Sequence, residues 1–180
     1  MLRRTPLKCK TGFKSKPKVK NEGNEKPKRK NKEPNYVADM DKIFQYWVRL
    51  RDSMPGGYCR CISCGQIKSF DQIQAGHYMS RKHMSVRWSP LNCNGECVFD
   101  NAYNGDHLIG YRKNLIKKIG EEKVEWLEAE SKRTKKWSNF EIKLLVKYYS
   151  KEILQLSAAK HIPITKGVLD IIKRYEKKKL

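Results

Sequence analysis

Asn92-Cys93-Asn94-Gly95-Glu96-Cys97-Val98-Phe99-Asp100-Asn101, taken together with Cys61-Ile-Ser-Cys64-Gly65 upstream, decides how this 180-residue chain folds. Two thiolates separated by two residues grip one zinc ion when a tight turn, relaxed by a following glycine, points both sulfurs inward. Cys61 and Cys64, with Gly65 after them, meet that description and make half a site. The other half belongs downstream, where Cys97-Val-Phe-Asp100 ends in a carboxylate in place of a second thiol. Carboxylates also ligate zinc, so Cys61, Cys64, Cys97 and Asp100 are the expected tetrahedron, with Cys93 and Cys59 competing for the fourth corner. Cys9 stands apart as a free thiol.

Working outward, the chain between Tyr58 and Asn101 has short, punctuated apolar runs that suit small strands and turns held by metal. Before it, Met40, Ile43, Phe44, Trp47, Val48 and Leu50 recur at helical spacing, which predicts an amphipathic helix over Val37–Asp52 ended by Pro55-Gly56-Gly57. After it, Asn101 to Ala129 reads as helix broken near Gly120. Ser138 with Glu141 is a capping box that opens a helix to about Leu156. Leu145, Val146, Tyr149 and Ile153 form its apolar stripe, either core or the seam of a homodimer. The last stretch, 158–180, reads as a basic extension with a short helix over Val168–Tyr175. The folded domain is therefore expected over 36–157.

Charge sets the partner class. The chain has 40 Lys or Arg against 19 Asp or Glu, a formal net charge of +21. Residues 1–35 alone carry a net +10, four prolines and few apolar side chains, so they are expected to be a disordered arm that holds nucleic acid without sequence choice. A balance this basic points to a polyanion, bound with release of condensed counterions. No apolar run approaches the ~18 residues of a membrane span. Residues 8–32 hold no apolar stretch of a secretory signal, so the expected location is the cytoplasm, that of the bacterial host for a phage or prophage product, with reduced cysteines.

His77 is followed by fourteen residues and Asn92, then by eight residues and Asn101, which directly follows Asp100. This spacing, meshed with a zinc knuckle, resembles the HNH or His-Me finger nuclease motif, a two-stranded ribbon and a helix around a divalent cation. The resemblance implies an α+β fold with a small ββα-metal, treble-clef-like core and structural zinc, flanked by helices. It also implies roles: the first position is a general base, the middle Asn braces the loop, and the last position binds the metal.

Further residues resemble one branch of that superfamily. Trp47-Val-Arg-Leu-Arg-Asp52, Cys61-Ile-Ser-Cys64-Gly65, Ala75-Gly76-His77-Tyr78, Arg87, Asn92, Cys97, Asn101 and Tyr111-Arg112 are similar to the phage NinG (Rap) recombination nucleases. The similarity runs from about Ile43 to Glu128 and more weakly to Leu156. It implies a metal-dependent, structure-specific endonuclease acting on branched DNA. Carried over, His77 is the base, Asn92 the brace, Asn101 a ligand of catalytic Mg²⁺ or Mn²⁺, and Cys61, Cys64 and Cys97 zinc ligands. Two positions depart: Asp100 replaces the family's fourth cysteine, and His107 stands where the family usually has Asn, as a second candidate ligand of the catalytic metal. Many HNH enzymes also place an Asp or His ligand just before the base, where this chain has Gly76, so Asp71, Asp106 and His107 compete for that role.

The chemistry asks for these groups. Phosphodiester hydrolysis needs a base for the attacking water, which a neutral imidazole supplies, and a hard cation to neutralise charge at the phosphate and leaving oxygen. Arg81, Lys82 and Arg87 lie in a cationic loop between His77 and Asn92, suited to phosphate contacts, and Arg112 extends a basic helical face. The competing class is a zinc-stapled DNA- or RNA-binding protein without catalysis. Charge and cysteines fit both classes; only His77, Asn92 and Asn101 separate them.

Overall fold

A computed structural model describes residues 34–177; the basic arm expected over 1–35 lies almost wholly outside them. Six helices and two small antiparallel ribbons follow the order α1 (Tyr36–Asp52), β1 (Tyr58–Arg60), β2 (Ile67–Ser69), a 3-10 turn (Phe70–Gln72), β3 (Ile73–His77), β4 (Cys93–Cys97), α2 (Val98–Ala102), α3 (His107–Ile119), α4 (Glu121–Glu130), α5 (Asn139–Lys160) and α6 (Lys166–Lys177). The fold is mixed and predominantly helical.

Helix α1 starts where Asn35 accepts a hydrogen bond from the Ala38 N–H, satisfying one orphan donor of the first turn. Its apolar stripe, including Met40, Ile43, Phe44 and Trp47, packs against Ile142, Val146, Tyr149 and Ile153 of α5, so that stripe of α5 is core. Phe44, Trp47 and Tyr149 cluster with ring centroids 4.7–5.7 Å apart, Phe44 stacked on Trp47 and edge-on to Tyr149. The capping box at Ser138 and Glu141 opens α5 as read from the sequence, although the helix runs on to Lys160. At that end Lys160 reaches back to the carbonyls of Leu50 (2.6 Å) and Arg51 (3.0 Å), placing a cation on the negative end of α1.

The stretch read as a basic C-terminal extension does something else. Val168, Ile171, Ile172 and Tyr175 of α6 are buried in the same core as α1 and α5. The Arg174 guanidinium and the Tyr175 hydroxyl donate to Asp39 Oδ2 at 2.8 and 3.1 Å. An apolar face spaced i, i+3, i+4, i+7 must find a partner, and α1 and α5 provide it.

A second core holds α3 and α4. Tyr111, Leu115, Val124 and Leu127 bury together with Val86, and the helices part at Gly120, whose φ of 88° suits glycine. Ribbon β3–β4 lies between the two cores in a register that pairs Gln74 with Glu96, Gly76 with Asn94 and His77 with Cys93. The last turn of α1 fixes this ribbon: Arg51 donates to the Cys93 carbonyl (2.8 Å), and Asp52 accepts the Gly95 N–H (2.7 Å). Among the described residues no helix is long and apolar enough to cross a membrane.

Candidate metal centre and adjoining cleft

The zinc half-sites converge. One ligand atom from each of Cys61, Cys64, Cys97 and Asp100 lies within 4.8 Å of the others. The knuckle turn after β1 positions the first pair, with Gly65 at φ 74°, while β4 ends in Cys97 and the first turn of α2 carries Asp100. Asp100 Oδ2 lies 3.2 Å from both the Cys61 and the Cys97 sulfur, and its Oδ1 accepts from Asn104 at 2.9 Å. Burial pushes the Asp100 carboxyl up, but hydrogen bonds from Cys64, Asn104, Cys61 and Cys97 outweigh it and hold the acid well below its usual range. Burial pushes the Cys64 thiol up to about 12. A soft thiolate set completed by one hard oxygen, gathered at one point, fits a zinc-type ion. Cys59 and Cys93, the rivals for the fourth corner, lie outside this cluster.

Helix α3 braces the knuckle. A side chain on Gly110 would come within 2.5 Å of the Ser63 carbonyl, and Asn114 donates to the Ile62 carbonyl at 2.8 Å.

Beside the knuckle lies an open cleft of about 1590 Å³, and His77, Asn101, His107, Arg81 and Arg112 all line it. His77 is placed by the end of β3. Its Nε2 lies 3.0 Å from the Arg87 carbonyl, which can only accept, so the proton sits on Nε2 and Nδ1 keeps its lone pair. That Nδ1 is 3.6 Å from the Cys93 sulfur, its cross-strand partner. Burial outweighs the carbonyl contact and lowers the His77 pKa below the ordinary histidine value, which favours the neutral ring.

Asn92 is fully buried and makes three side-chain hydrogen bonds: it accepts from Met79 N–H (2.7 Å) and donates to the carbonyls of Met79 (2.9 Å) and Val86 (3.1 Å). It clamps both ends of the cationic loop. Tyr111 does the same for the strand, donating to the Gly76 carbonyl at 2.9 Å. Asn101 sits near the C-terminal end of α2; its Nδ2 donates to Gln74 Oε1 at 2.6 Å, leaving Oδ1 without a partner among the described residues. The cap of α2 is the Cys97 sulfur, which accepts from Asp100 N–H, so Asn101 is not spent on capping.

His107 opens α3 and donates from Nδ1 to Glu96 Oε1 at 2.7 Å. Glu96, which the sequence reading passed over, is fully buried on β4 and also accepts from the Ser63 hydroxyl. Its Oε2 has no partner, and a Cβ on Gly76 would stand 2.0 Å from it. Only the alternation of the paired strands reveals that residue 96 shares a face with Gln74 and Gly76.

The cations expected to meet phosphate divide. Arg81 and Lys82 are exposed. Arg112 is half exposed but paired with Glu128 at 2.9 Å. Arg87 is turned inward: its Nε donates to Asp41 at 2.9 Å and an η nitrogen to the Arg81 carbonyl at 2.7 Å, so it holds the loop rather than reaching outward. Asp71 and Asp106 are not among the residues lining the cleft.

The family profile described as Bacteriophage Lambda NinG protein matches residues 3–159, most of the chain. The chain belongs to the NinG family. Among its relatives, Protein ninG of Escherichia phage lambda is 29% identical over 123 residues, covering 64% of this chain and 59% of that protein. Protein ninG of Salmonella phage P22 is also 29% identical over 123 residues, covering 64% and 60%. That of Enterobacteria phage H19B is 30% identical over 112 residues, covering 58% and 55%. The match thus spans about three fifths of the length of these NinG relatives. No solved structure matches the chain.

Proposed function

We propose that this NinG-family chain is a metal-dependent endonuclease of the His-Me finger type that hydrolyses phosphodiesters in branched DNA. The observation that carries the reading is that His77, a neutral ring whose Nδ1 meets only the weak Cys93 thiol donor, and Asn101, with a free Oδ1, line one cleft edged by cations. Binding alone would not call for a neutral imidazole and an unpaired amide oxygen on the wall of one cleft. The β3–β4–α2 sequence that presents both is the arrangement expected of a ββα-metal core.

In this reading water displaces the Cys93 thiol from His77 Nδ1, which then takes a proton from that attacking water, the oxygen–phosphorus bond forms, and the bond to the 3′-oxygen breaks. The departing oxygen takes a proton from solvent. Asn101 Oδ1 and His107, both on the cleft, would hold a hard divalent ion, Mg²⁺ or Mn²⁺; unpaired donor atoms at that place fit such an ion. When bound, the ion supplies charge neutralisation at the scissile phosphate and leaving oxygen. Asn92 and Arg87 keep the loop and the His77 carbonyl partner in place, and Arg81 and Lys82 contact phosphates beside the cut. Zinc at the knuckle is structural: it locks β4 to α2 and so fixes Asn101.

The preference for branched DNA draws on the family. It is supported by Phe99 and Tyr103, one helical turn apart on either side of Asn101 and 66% and 77% exposed. Aromatic faces beside a phosphate cleft suit unpaired bases, which stack on them. The test is nicking of four-way, flapped and plain duplex DNA by zinc-loaded protein with and without Mg²⁺. Cutting that needs the ion and His77 supports the reading.

A further inference from the structure

Glu96, on the strand beside the cleft, is the most deeply buried carboxylate among the described residues. Its two oxygens are unequally partnered. Both of its hydrogen bonds, from Ser63 and His107, fall on Oε1, and Oε2 has none. A buried carboxylate oxygen without a donor is costly, so a structure that keeps one usually gains elsewhere. The surroundings are shaped for it. Gly76 leaves the space that the carboxylate fills, and any larger residue there would collide with Oε2 and with the Glu96 Cβ, 2.8 Å away.

The partner of this buried charge is His107. Nδ1 donates to Glu96, so the carboxylate selects the tautomer with its proton on Nδ1 and the lone pair on Nε2. Nε2 has no partner among the described residues and is not a buried atom, and the residue lines the same cleft as His77 and Asn101.

We propose that Glu96 and His107 act as one carboxylate–imidazole unit, in which Glu96 is a positioning residue that presents His107 Nε2 to the cleft as the nitrogen ligand of the divalent ion. It rests on the endonuclease reading only for the nature of the ion.

The probe is Mn²⁺, titrated into zinc-loaded protein and followed by its electron paramagnetic resonance signal, with circular dichroism checking each variant's fold. Glu96→Gln, nearly isosteric, is expected to weaken Mn²⁺ binding about 10–100-fold. His107→Ala is expected to weaken it at least as much. The double variant should be no weaker than His107→Ala alone, because Glu96 acts through that ring. Unchanged Mn²⁺ affinity in Glu96→Gln, or losses that add in the double variant, would overturn the proposal. A measurement on the unmodified protein stands beside these: nitrogen NMR of the His107 ring should show the proton on Nδ1, and a proton on Nε2 would also overturn it. The two levels fail separately. Mn²⁺ binding that depends on the pair, in a protein that cuts no DNA, would sink the endonuclease reading alone. DNA cutting with a Glu96-independent Mn²⁺ affinity would sink the pair alone.

Discussion

Gly76 and Glu96 are built for each other: a Cβ at residue 76 would lie 2.0 Å from Glu96 Oε2 and 2.8 Å from its Cβ, and Glu96 is fully buried. Gly76→Ala should therefore cost about 1–3 kcal/mol through overpacking, read as a fall in the urea midpoint of zinc-loaded protein. Stability equal to wild type would mean that the carboxylate swings aside freely.

Asn92 offers a second stability test. Asn92→Ala removes three hydrogen bonds and leaves the half-buried Met79 N–H and carbonyl without these partners, while the Val86 carbonyl keeps the Ser89 N–H. The expected loss is about 2–4 kcal/mol, measured by denaturant unfolding. A loss below about 0.5 kcal/mol, within the range of ordinary surface changes, would show that the clamp is ornamental.

Zinc gives a third. Zinc-loaded protein should carry about one ion per chain by elemental analysis, and Cys61→Ser should lose the ion and cooperative unfolding together. Asp100→Cys, which gives the site four thiolates, should retain zinc and release it more slowly to a chelator. Faster release from that variant would show that Asp100 is not a ligand.

Much of this was legible in one dimension. The period of α1, the capping box of α5, the break at Gly120 and the Cys-x-x-Cys-Gly turn are local signals, and local geometry honours them. What escaped depends on pairing between distant elements. Glu96 sits among cysteines and turn formers, and its burial comes from Gly76, Ser63 and His107, which only the fold brings against it. Arg87 looks like any loop cation until Asp41 of α1 arrives to pair with it. The short helix over Val168–Tyr175 was legible within the basic extension, but that its four apolar residues close the core of α1 and α5 follows only from packing between distant elements.

The loop cations should separate by role. Arg81→Ala and Lys82→Ala should each lower the slope of DNA affinity against salt by about 1. Arg87→Ala should instead lower stability with little change in slope, because its charge is already matched by Asp41. A slope change for Arg87→Ala as large as for Arg81→Ala would assign it to phosphate.

The pH dependence has a definite sign. Burial lowers the His77 pKa in the folded protein, so the ring sheds its proton at a lower pH than a free histidine. Cutting should fall only as pH drops through that lowered value, below the ordinary ~6.5. The same shift adds stability above the unfolded-state pKa, lost as pH falls through the folded one. A cutting midpoint above 7 would mean that another group is the base.

The most direct measurement sets wild type beside His77→Ala, both zinc-loaded, on labelled four-way, flapped and duplex DNA with Mg²⁺, Mn²⁺ or chelator, scoring nicks and binding together. The expected result is ion-dependent nicking of branched DNA by wild type alone, with both proteins binding alike. Equal nicking by the two, or binding without any cutting by wild type, would contradict it.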